Sequence, residues 1–531
     1  MATNPAGVAT HPVVAELVGV VGAGHVLLDA ADRAFYAQDV YAVGTPPLAV
    51  VRPGSVEELA RVVRVATARA VAVIPRSGGM SYTDGYLPRR AESITLDLAR
   101  LDRIVAIDAA DRYVTVECGI TWKALHDALA PLGLRTPYWG PLSGLRSLVG
   151  GALSQGSIFL GSGRYGAAAE SVLGLDVVLA DGTIAATGAH ANRNGEPFFR
   201  QFGPDLTGLF TSDCGALGVK ARATLKLIAM PGATEHVSWG FDDSASLFAA
   251  MADVGRAELA SECFAFDPGL QKQRMKRTSL VEDAKSLGKV MKAAGGGLSA
   301  LKEGAKIVMA GRGFLDDVKF SLHLSFDGRD TADAAARAAL ARKLLAAHGG
   351  REVENSIPKV MRANPFAEVN SMLGPNGERW VPVHGTVPFS KAQALFAACE
   401  AVFAKYADEC ARLDIDHGYL ACVVGDRGIL LEPVFYWPDE RQAFHERVLD
   451  ADYLAKLPKY PQNLAARSAV AEMRGELADV LAASGAVSFQ IGKFYRYQPS
   501  LESSAAALLA ALKRQLDPHG LMNPGSLGLG G

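Results

Sequence analysis

The chain lacks the marks of several large protein classes. It contains no run of about 18 uncharged apolar residues, so no membrane-spanning helix is expected. The first residues, Met1 to Pro12, show no basic start followed by an apolar stretch, and no secretory signal is expected. Charge of one sign is missing too. Lys and Arg total 54 against 56 Asp and Glu, a net charge of −2, which removes the broad positive field that nucleic-acid binding requires. Cysteine is sparse: Cys118, Cys214, Cys263, Cys399, Cys410 and Cys422 are scattered with no C-x-x-C pair. That excludes a zinc ribbon or disulfide framework and points to reduced thiols in a cytoplasmic protein. No internal repeat is evident.

What is present is a long, half-apolar chain. At 531 residues it exceeds one ordinary core, so two or more domains are expected. Val13 to Leu28 reads as a short helix and loop. From Pro47 strands and helices alternate: a strand at Leu48 to Arg52, a helix from Ser55 with Glu57 and Glu58 in its first turn and Leu59, Val62, Val63 and Val65 on one face, and a strand at Val71 to Pro75. Further strands are expected at Ser93 to Leu98 and Tyr113 to Glu117, and a helix at Trp122 to Leu132. Val172 to Leu179 and Thr183 to Thr187 flank an Asp-Gly turn as a hairpin. A strand over Gly215 to Leu227 closes this region. Residues 271–313 are rich in Lys and Gly. Beyond them come a strand at Val318 to Phe326 and an Ala-rich helix at Thr331 to His348. Strand character at Trp380 to Thr386, a long helix over Ala392 to Leu413 and strands within Tyr419 to Trp437 make a second α+β unit. A terminal helix spans Ser503 to Leu516.

Three small-residue loops sit at element junctions. Pro75-Arg76-Ser77-Gly78-Gly79-Met80-Ser81 follows a buried strand. Glycines there let successive backbone N–H groups point at a pyrophosphate. One such loop is an ordinary turn, but Gly150-Gly151-Ala152-Leu153-Ser154-Gln155-Gly156 repeats the pattern, and Asp205 to Gly218 repeats it again. A fourth run, Gly161-Ser162-Gly163-Arg164-Tyr165-Gly166, formally fits G-x-G-x-x-G. It is followed by the strand from Val172 rather than by a helix, so it is not read as a dinucleotide fingerprint.

Val51-Arg52-Pro53, Pro75 to Gly79, Gly150-Gly151, Tyr165-Gly166, Asp181-Gly182 and Gly215-Ala216-Leu217-Gly218, in that order and spacing, resemble the FAD-binding domain of the vanillyl-alcohol oxidase and p-cresol methylhydroxylase family. Leu516 to Gly525 resembles that family's closing motif, so the resemblance runs from about residue 47 to 527. It implies an α+β fold: a PCMH-type FAD-binding domain plus an α+β substrate (cap) domain with an antiparallel sheet. The implied division is an N-terminal segment at 1–46, the FAD domain at 47–230, the cap at 231–490 and a return to the FAD domain at 491–531. The implied FAD-binding residues are Pro75, Arg76, Ser77, Gly78, Gly79, Met80, Ser81, Gly150, Gly151, Ser154, Tyr165, Gly166, Gly215, Gly218, Val219 and Asn523. Many relatives bond flavin through a histidine after the Gly-Gly pair, where this chain has Met80. Others attach it in the second domain, where Leu430 and Leu431 stand. Non-covalent FAD is the expectation.

The resemblance also implies a chemistry: hydride transfer from a para-substituted phenol or lignin-type aromatic alcohol to flavin N5. Tyr82, Tyr495 and Arg496 match the positions that hold the phenol oxygen. The family's Asp near N5 corresponds to Gln155, an amide that cannot act as a base. Glu432, inside the apolar run Ile429 to Trp437, is a candidate general acid or base. His384 and His417 are expected to be structural. A D-2-hydroxy-acid dehydrogenase such as one for D-lactate shares the fold, with Arg496 then gripping a carboxylate. Its H-x-G-D-G-N metal motif is absent here, and no metal is expected. The basic residues Lys272, Arg274, Lys276 and Arg277 could touch anionic lipid. The interspersed Gln, with Glu282 and Asp283 following, favour a solvated helix. Dioxygen, a quinone or a protein is the expected electron acceptor, and a homodimer the expected assembly.

Overall fold

The computed structural model describes residues 11–276 and 317–530. The chain forms two compact units: Met1–Ser157, Ala168–Ala229 and Phe489–Gly531 in the first, Ile158–Ala167 and Met230–Ser488 in the second. The expected boundaries at 230 and 490 therefore lie within two residues of the observed ones. Two differences stand out. The residues before Pro47 are no separate segment, because Val13, Leu17 and Val21 are buried in one core with Leu59, Val62 and Val63 of the helix Val56–Ala68. And 158–167 leaves the first unit for the second.

In the first unit, β1 (Val26–Leu27), β2 (Ala49–Val51), β3 (Ala72–Arg76) and β4 (Ser93–Asp97) form a sheet in the order β1-β2-β4-β3, with β2, β4 and β3 parallel. The crossover helix Val56–Ala68 starts where the sequence places its cap: Ser55 Oγ accepts the Glu58 N–H at 3.1 Å. A second, antiparallel sheet runs β5 (Ile104–Asp108), β6 (Tyr113–Glu117), β10 (Val219–Lys226), β8 (Val172–Val178), β9 (Ile184–Ala186). A two-stranded pair joins β7 (Leu134–Arg135) and β11 (Ile228–Ala229). The strand expected over Gly215 to Leu227 begins only at Val219, since Gly215 has φ +71° and turns the chain first.

The C-terminal residues complete this unit. Val73 N–H donates to Leu521 O at 2.8 Å and Asn523 N–H to Val73 O at 2.9 Å, adding a bridge to the free edge of β3. Lys513, on the helix Ser503–Leu516, is buried. Its ammonium donates to Ala216 O (2.7 Å), Asp517 Oδ2 (2.6 Å) and Met522 O (2.8 Å). All three ammonium hydrogens are therefore used, which satisfies a charge that burial would otherwise penalise.

The second unit is built on an eight-stranded antiparallel sheet. Its order is β15 (Arg351–Val353), β12 (Ala233–Phe241), β14 (Phe320–Gly328), β13 (Glu262–Phe266), β18 (Asp416–Val424), β19 (Gly428–Trp437), β16 (Arg379–Pro382), and β17 (Gly385–Pro388) also pairs with β19. Helices Ser244–Arg256, Thr331–Ala347, Ala392–Lys405 and Leu464–Ala483 belong to it. The long helix expected over Ala392 to Leu413 is interrupted at Tyr406, whose hydroxyl donates to Glu472 and Glu476. The strand expected across Trp380 to Thr386 is two short strands separated by Val383 and His384. The excursion 158–167 is held here by Gly161 N–H to Glu262 Oε1 (3.0 Å), and Arg362 pairs with that same buried carboxylate and with Asp327. Of the Lys- and Gly-rich stretch, a helix Pro268–Lys276 is seen, and the rest, from Arg277, lies outside the described residues. Among the described residues no helix is long and apolar enough to cross a membrane.

Lys513→Met should lower stability by about 3 kcal/mol, because it strands the Asp517 carboxylate and two carbonyls in the interior. Urea unfolding followed by circular dichroism measures it. A loss below about 1 kcal/mol would mean that the C-terminal return does not depend on this lysine.

Candidate functional site

Three loops and one short helix of the first unit enclose a cavity of about 110 Å³, open to solvent. Its wall begins with Pro75, at the end of β3, and continues through Ser77, Gly78, Gly79, Met80 and Ser81. The N–H groups of Gly78, Gly79, Met80 and Ser81 donate to no backbone carbonyl among the described residues. Four successive amides without backbone partners along a cavity wall are a ready anion cradle.

The second loop is in fact the helix Val149–Gln155, entered through Leu148. It contributes Gly150, Gly151, Ala152, Ser154 and Gln155 to the wall. Here small residues are a packing requirement. A Cβ on Gly151 would stand 2.5 Å from Ser77 Oγ, and one on Gly78 would run into the Arg146 carbonyl. The third loop supplies Cys214, Gly215, Gly218, Val219 and Lys220. Lys220 is neutralised on the spot: its ammonium lies 2.5 Å from Asp213 Oδ1, with both side chains buried. Burial pushes the Cys214 thiol up to about 12, so it is protonated. Ser77 Oγ and Gln490 Oε1 are buried with no hydrogen-bond partner among the described residues, and both residues wall the cavity.

Most of the residues expected to bind cofactor meet here: Pro75, Ser77, Gly78, Gly79, Met80, Ser81, Gly150, Gly151, Ser154, Gly215, Gly218 and Val219. Four are placed elsewhere. The Arg76 guanidinium stacks on Tyr36, Phe35 and Tyr86 at 4.6, 4.9 and 5.3 Å, beneath the loop rather than in the cavity. Tyr165 and Gly166 belong to the excursion in the second unit, where Gly163 N–H bonds Ser261 O and Gly425 N–H bonds Ser162 O. Asn523 stands behind the wall, donating from Nδ2 to Gly85 O (2.8 Å) and Cys214 O (2.6 Å).

Among the catalytic candidates, Gln155 walls the cavity. Tyr82 is buried and Tyr495 half-buried, while Arg496 is exposed with Nη1 donating to Phe494 O at 3.1 Å. None of the three is in the wall itself. Their loops are nevertheless in contact with it: Lys493 N–H donates to Thr83 O (2.9 Å) and Gln490 N–H to Gln155 O (2.5 Å). Glu432 is buried on β19, opposite Leu420. His384 is fully buried, and burial holds its imidazole at about 3. His417 stacks on Phe403 at 3.9 Å. Sequence reasoning missed Gly85, Tyr86, Ser143, Ser147, Lys220 and Gln490 as wall residues. Only the packing of distant loops brings them together.

Residues 47–188 match the family model for the FAD binding domain, and residues 231–527 that for the C-terminal domain of FAD-linked oxidases. The chain belongs to the FAD-linked oxidases. Similar curated proteins include a D-2-hydroxyglutarate dehydrogenase of Xanthomonas citri, 33% identical over 48% of this chain and 53% of that protein. Another is the mitochondrial D-lactate dehydrogenase [cytochrome] 1 of Saccharomyces cerevisiae, 30% identical over 37% of this chain and 32% of that one. The chain thus spans about a third to a half of their lengths. In fold it is similar to p-cresol methylhydroxylase (TM-score 0.72, 18% identity, 97% of this chain and 96% of that one). It is similar also to 4-ethylphenol oxidase from Gulosibacter chungangensis (TM-score 0.69, 17% identity, the same coverage).

FAD is the cofactor of this family, and the wall fits it. The amides of Gly78 to Ser81 and the Ser77 hydroxyl are donors suited to phosphate oxygens, and Gly151 keeps the space a side chain would fill. Gly78→Ala should therefore weaken FAD binding at least about ten-fold and Ser77→Ala about five-fold, read from the 450 nm to 280 nm absorbance ratio after dialysis. A fully yellow Gly78→Ala protein would place the cofactor elsewhere.

Proposed function

We propose that this FAD-linked oxidase takes a hydride from a para-substituted phenol or lignin-type aromatic alcohol. The observation that carries the reading is that the Tyr82 loop and the segment of Tyr495 and Arg496 are joined, with Lys493 N–H donating to Thr83 O at 2.9 Å. An ionised para-alkylphenol or hydroxybenzyl alcohol pushes out its hydride electronically, through a quinone methide, and needs no base beside the flavin. It needs donors and a cation at the phenol oxygen. Tyr82, Tyr495 and Arg496 are the residues for that task, and their loops touch the segment that carries Gln155. When bound, FAD supplies the hydride acceptor at N5. Gln155 offers amide donors at the wall and takes no proton. Glu432 is the remaining candidate acid or base, in the second unit. Met80 in the cavity wall and Leu430 and Leu431 on β19 have no atom suited to a flavin bond, which supports non-covalent FAD. Reoxidation calls on dioxygen, a quinone or an acceptor protein.

The names of the curated relatives favour a second reading, a dehydrogenase of a D-2-hydroxy acid. Arg496 would then grip the carboxylate. The two readings part on the alcohol proton: a 2-hydroxy acid must lose it to a base, for which Glu432 is the candidate.

Acid precipitation of the yellow protein should leave FAD in the supernatant; a yellow pellet would sink the non-covalent reading. Anaerobic mixing with 4-alkylphenols and 4-hydroxybenzyl alcohols should bleach the flavin, while D-lactate and D-2-hydroxyglutarate should not. The reverse result transfers the assignment to 2-hydroxy acids. Arg496→Ala should lower kcat/KM for phenols by about 10- to 100-fold, and unchanged turnover would remove Arg496 from the anion site.

A further inference from the structure

Cys214 occupies an unusual place in the cavity wall. It holds φ +51°, a left-handed conformation that a cysteine seldom adopts. Asn523 fixes its carbonyl, and its own N–H donates to Ser154 O at 2.9 Å. The side chain is thus aimed by the backbone on both sides. Its sulfur accepts the Gly492 N–H at 3.2 Å and faces Gln155 Oε1 at 3.5 Å.

The polarity of that contact is dictated by chemistry. The buried thiol is protonated, and an S–H group has one hydrogen to give. Gly492 occupies the sulfur as acceptor, so the hydrogen goes to the amide oxygen. Gln155 must then present Oε1 to the sulfur and Nε2 on the opposite side. Gly85 has the room for this: a Cβ there would stand 2.7 Å from Nε2. Cys214, Gln155 and Gly85 all wall the cavity.

We infer that Cys214 is a positioning residue: through the chain Gly492 N–H to Sγ, S–H to Oε1, it locks the Gln155 amide so that its Nε2 faces the cavity as a donor to an acceptor atom of the bound flavin. No covalent or redox step of the thiol is involved. The inference rests on FAD occupying the cavity and is independent of the hydride donor. It also explains the amide. A carboxylate at 155 would accept the S–H equally well but would offer no donor on its far side.

The test uses holoprotein carrying Cys214→Ser or Cys214→Ala, each alone and combined with Gln155→Met. FAD affinity is read by quenching of flavin fluorescence, and the flavin midpoint potential by dye equilibration. Cys214→Ser keeps a hydrogen to donate and should stay within about two-fold of the parent in affinity. Cys214→Ala should bind FAD about five-fold more weakly and shift the potential. In the Gln155→Met background, Cys214→Ala should add nothing to either reading. The inference is overturned if the alanine variant matches the parent, if serine behaves as alanine does, or if the effect persists undiminished with Gln155→Met. Should Cys214→Ala fail to fold, Cys214→Gly, which adopts φ +51° without strain, takes its place with the same outcomes. The FAD content of the parent is measured first. A parent that takes up no FAD defeats the cavity reading itself, whereas a full complement with a silent Cys214→Ala defeats only the role of Cys214.

Discussion

The cavity depends on one buried asparagine near the end of the chain. Asn523 uses both side-chain amide hydrogens, on Gly85 O and Cys214 O, and its backbone N–H on Val73 O. One residue thus ties the first Gly loop, the third loop and the edge of β3. It does so at φ +41°, in the region that Asn tolerates better than most residues. Gly85 and Cys214 face the cavity on their other sides, so the cofactor site takes shape only when the C-terminal segment docks. The partners are 438 and 309 residues apart in sequence. The second unit lies between them in the chain, so the site is built from contacts distant in sequence. Lys513 secures the same docking from the far side, through Ala216 O and Met522 O.

What this closure creates is a cavity with little net charge. Lys220 is the one basic residue in the wall, and Asp213 cancels it. A pyrophosphate is therefore left to neutral donors, the amides of Gly78 to Ser81 and the Ser77 hydroxyl. Neutral donors held by the fold need no side-chain ordering, and they avoid the desolvation of an arginine. Arg76 makes the point by contrast. It sits in the same loop, yet its guanidinium is spent on three aromatic rings beneath it, where it props the loop that presents the amides.

Features fixed by local chemistry were legible in the sequence. Ser55 announced a helix start, the small residues of all three loops announced close approach, and the terminal motif announced a return to the first unit. Features fixed by distant packing were not. β12 and β13 and the helix Leu464–Ala483 escaped notice. The helix is rich in alanine, which weakens its apolar stripe, and β13 is buried throughout. The helix Ala392–Lys405 ends at Tyr406, whose hydroxyl lies 2.9 and 3.0 Å from carboxylates of Glu472 and Glu476 on a later helix, a contact no local pattern announces. Tyr165 and Gly166 carried a family motif but lie with the second unit, since Glu262 and Ser261 hold the excursion there. Lys220 and Gln490 gave no local signal, because their place in the wall follows from which loops meet.

The proton inventory gives the site its chemical character. A flavin enzyme that oxidises an unactivated alcohol must take both a hydride and a proton from its substrate, and the proton needs a base. The cofactor cavity offers hydroxyls, amides, a thiol that burial keeps protonated and a lysine paired with aspartate. A donor that arrives as an oxyanion conjugated to its reacting carbon removes that need, because the electron push comes from the substrate itself. Gln155 fits the same logic. An amide turned by the Cys214 thiol would present a donor to the bound cofactor, which an aspartate would not.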